Sequence, residues 1–109
     1  MKDFHQLNEL VINWASEKGI LDKATPLAHI SKTMEEVHET MLAIAAQANG
    51  LDEFINFKGE TCNTADEILD GFGDILVTVL IGLKMQGLDA LVCLQSAYDV
   101  ISKRTGTLS

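Results

Sequence analysis

Six carboxylates in two short runs are the residues of this sequence best suited to chemistry: Glu35, Glu36 and Glu39, then Glu67, Asp70 and Asp74. On a helix turning ~100° per residue, the last three fall within an arc of roughly 60°. Val77 and Ile81 continue that stripe, so these carboxylates head a face that becomes apolar. Glu35, Glu36 and Glu39 fall within about 100° of one another, at the edge of an apolar stripe on their own helix.

Like charges at these spacings repel, by about 4 kcal/mol for two charges ~4 Å apart at an effective dielectric near ~20. Nearby cations are few. Lys32 sits one turn before Glu35 and Glu36, and no basic residue lies between Glu60 and Val79. A hard divalent cation held by oxygen ligands would neutralise the cluster, and magnesium is the usual choice where carboxylates meet substrate phosphates. Two acidic rows on adjacent antiparallel helices can converge on one or two ions that bridge protein and triphosphate. The chemistry implied is metal-assisted hydrolysis at phosphorus. The competing reading is a solvated acidic surface. Two clusters on successive helices, the second on a stripe that turns apolar, favour the site.

Overall composition narrows the partners. The chain has 109 residues, 16 acidic against 8 basic, for a net charge of −8 and a pI near 4.6. Such a chain has no electrostatic footprint for a nucleic-acid polymer or an anionic membrane surface. The most apolar run, Ile75 to Leu94, is broken by Lys84, Gln86, Gly87 and Asp89, so no membrane span is expected. Cys62 and Cys93 have neither zinc-ligand nor disulfide-framework spacing and are expected as free thiols. The N-terminal stretch lacks the apolar centre of a secretory signal, and a cytoplasmic location is expected.

The elements that must position the carboxylates are helical. Phe4, Leu7, Val11 and Trp14 share one face of a first helix that Gly19 can end. Thr25-Pro26 supplies an N-cap and a first-turn proline for a second. There Leu27, Ile30, Met34, Val37, Met41 and Ile44 recur at threes and fours as a core stripe, until Asn49-Gly50. Leu51 to Asn63 is expected as a loop, because Glu53–Phe57 read as a strand would have no partner. Thr64-Ala65-Asp66-Glu67 has the form of a capping box, opening a third helix that runs to about Gln86-Gly87. A fourth starts near Asp89, aligns Leu91, Leu94, Tyr98 and Ile101, and finishes at Lys103-Arg104-Thr105-Gly106, where basic residues suit the helix dipole. The expected fold is a single all-α domain over 1–109, a four-helix bundle. The third helix is apolar around nearly its whole circumference between Ile75 and Leu83, which predicts cover by another subunit.

With these residues in view, the chain resembles the MazG-like nucleotide pyrophosphohydrolases of the all-α NTP pyrophosphatase superfamily. Their pattern is E-E-x-x-E on one helix and E-x-x-D at the start of the next. Here the first is Glu35-Glu36-Val37-His38-Glu39 and the second Glu67-Ile68-Leu69-Asp70, with the 27 residues 40–66 between. The similarity extends more loosely from the Trp14 region to the end of the fourth helix. It implies magnesium-dependent hydrolysis of nucleoside triphosphates between the α and β phosphates, by homodimers or homotetramers that share their bundles. By motif, Glu36, Glu39, Glu67 and Asp70 would be metal ligands, and Glu35 a ligand or the base that orients the attacking water. A second register aligns Asp74-Ile75-Leu76 with the family's Asp-hydrophobic-hydrophobic and sets Gly71 where a Glu is usual, so Asp74 stays among the ligands. Late in the fourth helix, Asp99 stands where many relatives carry Asn.

Other residues admit two readings each. Glu35-x-x-His38 is half of a ferritin-like di-iron motif, but neither His5 nor His29 completes it, and a core role for His38 is favoured. Lys58 and Lys103 are phosphate contacts or ordinary surface cations. Trp14 is a core residue or a platform for the base. Gly71 and Gly73 each cost ~1 kcal/mol relative to Ala in a helix interior, which suggests close approach of a neighbouring helix or a ligand.

The function expected is thus a (d)NTP pyrophosphohydrolase that clears unwanted nucleotides. Phosphoribosyl-ATP or dUTP pyrophosphatase activity, and a non-catalytic helical oligomerisation or regulatory module, are the alternatives.

Overall fold

Four side-chain caps and a hairpin turn set where the elements begin. In the computed structural model, which describes residues 1–104, Asp3 and Gln6 form a reciprocal capping box at the head of α1 (Phe4–Glu17). A short α2 (Ile20–Lys23) follows Gly19, whose φ of 74° is left-handed. Thr25 Oγ1 accepts from Ala28 N–H at 3.1 Å and Pro26 takes the first position of α3 (Pro26–Ala48), as the sequence predicts.

The segment expected as a loop is a β-hairpin. Strand β1 (Glu53–Ile55) pairs antiparallel with β2 (Thr61–Asn63), Phe54 facing Cys62. The partner strand lies across a turn built on one side chain. Asn56 Oδ1 accepts from the N–H groups of Lys58 and Glu60, each at 3.0 Å, and Gly59 supplies a φ of 80°. Thr64 N–H donates to Asp52 C=O at 2.8 Å and fastens the hairpin's open end.

Helix α4 (Thr64–Met85) begins one residue earlier than the predicted box implies. Its N-cap is Asn63, whose Oδ1 accepts from Asp66 N–H at 3.0 Å, so Thr64 is already helical and the Thr64/Glu67 box does not form. The last helix is α5 (Ala90–Ile101), capped by Asp89 and ending with Ser102 as C-cap. Lys103 and Arg104 lie past its end, and Thr105 and Gly106 of the expected finishing sequence lie outside the described residues.

Packing centres on α3 against α4, with α1 crossing α4. This departs from a four-helix bundle within the chain. Helix α5 leaves α4 at a bend of 102° and buries none of its residues. The Cα radius of gyration is 16.3 Å, against ~13 Å for a compact chain of about 100 residues. The sequence therefore specifies a mostly helical fold but leaves its fourth helix unpacked.

The buried face of α3 is also not the expected one. His29, Thr33, Thr40, Ala43 and Ala46 are buried, with His29 against Thr78 and Thr40 against Gly71 of α4. The stripe from Leu27 to Ile44 points outward, with Leu27 77% and Met34 70% exposed. Periodicity identifies an apolar stripe but not what covers it. Here small and polar residues bring α3 and α4 close together, and the aliphatic surplus faces away. Exposed apolar residues are found on α3 and α5 as well as on α4, where Leu76 is 60% exposed. Among the described residues, no single helix is long and apolar enough to cross a membrane.

Candidate carboxylate site

Along α3, positions 36, 39 and 40 share one face; along α4, positions 67, 70, 71 and 74 do the same. Where these faces meet, an open cavity of about 250 Å³ is lined by Glu36, Glu39, Glu67, Asp70 and Asp74. The hairpin walls its remaining side with Phe54, Asn56, Phe57, Lys58 and Glu60. Two helices and one hairpin thus bring five of the six predicted carboxylates to one place.

The helices can approach here because residue 71 has no side chain. A Cβ on Gly71 would collide with Oγ1 of Thr40. That hydroxyl donates to Glu36 C=O at 2.7 Å, one turn back along α3. The close approach expected at Gly71 is therefore to a helix. Gly73 has nothing within 4 Å of the corresponding point.

Charge in the cavity is one-sided. The carboxyl of Asp74 is pushed above the ordinary aspartate range, first by desolvation and then by the carboxylates of Glu36 and Asp70, with Lys32 opposing. Lys32 Nζ lies 3.3 Å from Glu35 Oε2 and 3.4 Å from Glu36 Oε1. These pairs, the bond to Glu35 foremost, raise the Lys32 ammonium above its usual range although partial burial opposes them. Cys62, in β2, has its thiol pushed up by desolvation and then by Glu67 and Glu60. A thiol held protonated in this way is a poor nucleophile. Both cysteines are free.

Glu35 does not join the cavity. It lies with Ser31, Met34, Val37, His38 and Met41 along the outward stripe of α3. Trp14, on α1 and 47% exposed, and Lys103, beyond α5, do not line the cavity either. Lys58 does. His38 is exposed rather than in the core, its ring meeting that of Phe57 edge-on at 5.8 Å. The buried histidine is His29, whose Nε2 stands 2.9 Å from Thr78 C=O. Glu60 is the cavity carboxylate that sequence reasoning misses, because finding it requires the hairpin. The available signal was Lys58-Gly59, a turn between two short runs of strand-compatible residues.

The donor set suits a hard cation: every anionic side chain lining the cavity is a carboxylate, and the elevation of Asp74 comes from desolvation first and then from its acidic neighbours. As the side chains stand, no three His, Cys, Asp or Glu among the described residues are grouped to hold one ion. Ligation would therefore require the carboxylates lining the cavity to change rotamer.

Compared with protein-family models, curated proteins and solved structures, the chain matches none.

Proposed function

We propose that this chain is a magnesium-dependent nucleotide pyrophosphohydrolase, cleaving (d)NTP between the α and β phosphates to a monophosphate and pyrophosphate. The observation that carries the reading is the shared cavity: Glu36 and Glu39 from one helix face Glu67, Asp70 and Asp74 from the next, with Lys58 on the wall. An acidic cavity with a single lysine on its wall does not attract a polyphosphate unless cations accompany it.

Glu36, Glu39, Glu67, Asp70 and Asp74 would hold the magnesium, which supplies positive charge to the carboxylates and to the phosphates. Of these, Glu36 or Glu39 would accept a proton from the attacking water. Water adds at the α phosphorus, the bond from that phosphorus to the bridging oxygen breaks, and pyrophosphate leaves. Lys58 donates to phosphate oxygens from the hairpin, and Asn56 fixes the turn that presents it. Glu35 lies outside the cavity and acts through Lys32. Phosphoribosyl-ATP and dUTP fall within the same reading, since the carboxylates handle phosphates and metal rather than the base.

The assembly belongs to the proposal. Leu27, Ile30, Met34, Val37, Met41 and Ile44 alternate steps of three and four, the seam of a helix that packs along another of the same kind. Cover from a second copy, in a homodimer or homotetramer, would remove this seam and the apolar face of α5 from water.

The deciding assay incubates the protein with a panel of canonical and modified nucleoside triphosphates and magnesium. Pyrophosphate release is the expected result; orthophosphate, or no product across the panel, overturns the reading. The same exposed seam favours a second reading, a non-catalytic helical association module, in which millimolar magnesium would leave the melting temperature unchanged.

A further inference from the structure

The Lys32 ammonium already lies within bonding distance of a cavity carboxylate. Lys32 Nζ is shared between Glu35 and Glu36, at 3.3 and 3.4 Å. Glu36 is the enclosed partner, its side chain 12% exposed, while Glu35 is 65% exposed. Glu36 thus belongs to two environments at once, lining the acidic cavity on one side and held by the ammonium on the other.

Helix stability does not account for this arrangement. A lysine four residues before a glutamate is the less favourable order for such a pair, because it opposes the helix dipole. The exposed pair with Glu35 contributes little to folding. What Lys32 does alter is the field in the cavity, because it is the one cation acting against the acidic neighbours at Asp74.

We propose that Lys32 is the resident counterion of the carboxylate cavity, holding Glu36 until a divalent cation displaces it. The inference rests on the reading that the cavity takes such a cation. Lys32 and the metal compete for one carboxylate, so occupancy requires the Lys32–Glu36 pair to open. The long, flexible lysine stem lets the ammonium swing into solvent, where its hydration replaces the lost pair. Glu35 then retains Lys32 beside the site, and the exchange is reversible.

The test is the affinity of the whole protein for Mn²⁺ alone, read by the loss of free-ion EPR signal, in the wild type, Lys32→Met and Lys32→Gln. Lys84→Met makes the same change in net charge from the far part of α4, beyond the ~8–10 Å over which salt leaves exposed charges in contact. Both Lys32 variants are expected to bind Mn²⁺ about three- to fivefold more tightly than the wild type, as removal of one competing charge pair implies. Lys84→Met should stay within about twofold, and the gain at Lys32 should shrink at high ionic strength. Binding in all four proteins with no gain at Lys32, or a gain equal to that at Lys84, overturns the counterion role and leaves the metal site standing. Absence of Mn²⁺ binding in all four overturns both.

Discussion

Oγ1 of Thr40 occupies the space that a Cβ on Gly71 would need. This contact brings α3 and α4 together at the level of the cavity, where Glu36 and Glu39 face Asp70 and Asp74. Because Thr40 also donates to the Glu36 carbonyl, the side chain that limits the gap is itself fixed to the acidic turn.

Gly71→Ala and Gly73→Ala should therefore have opposite effects. Both gain up to ~1 kcal/mol from helix propensity. At position 71 the overpacking penalty, typically ~1–3 kcal/mol, outweighs that gain. Thermal unfolding should show Gly71→Ala melting below the wild type and Gly73→Ala above it. Equal rises in both would show that the Thr40 contact relaxes without cost.

Magnesium should stabilise the fold. An ion that binds only the native state adds about 2.7 kcal/mol at one hundred times its Kd. For a domain of this size that is on the order of ten degrees in Tm. Glu39→Gln and Asp70→Asn should each abolish most of the rise, measured by calorimetry with and without chelator. A chelator-insensitive Tm in the wild type would count against the site.

Asp74 gives a pH-dependent test. Its carboxyl is raised in the folded state, so the native protein binds that proton more tightly than the unfolded chain. The penalty for ionising it is fully present above its folded pKa and disappears as pH falls below the ordinary aspartate range. In chelator, Asp74→Asn should raise Tm at neutral pH, and the advantage should fade toward about pH 4. Saturating magnesium should reverse the neutral-pH order, because the variant lacks a ligand. An advantage that grew on acidification would contradict the assigned direction.

The outward seam of α3 is tested by charge. Met34→Glu with Met41→Glu puts carboxylates in the middle of it, at two exposed positions that disturb no internal packing. Sedimentation should show the wild type as a dimer or tetramer and the double variant shifted to monomer. A monomeric wild type would remove the second copy from the proposal.

Much of this arrangement was legible in the sequence, and the gaps have identifiable causes. Thr25-Pro26 marks the start of α3 because capping and first-turn proline are local effects. The spacing of Glu36, Glu39, Glu67, Asp70 and Asp74 predicts their shared faces because helical geometry is regular. The hairpin was marked only by Lys58-Gly59, since its turn depends on Asn56 bonding two backbone groups in a segment too short to show strand periodicity. The exposure of Leu27 and Met34 was not legible, because an apolar stripe looks alike whether its cover comes from the same chain or another. Glu35 was grouped with Glu36 and Glu39 by motif, yet a step of one residue turns it about 100° from Glu36, toward the outer side of the helix.

Helix α5 has twelve residues and none of them is buried. Segments of that length seldom hold their shape alone in water. Dilution should accordingly unwind this arm before it disturbs the paired rods α3 and α4, so that helicity at the carboxyl end reports how crowded the molecule is with its own kind.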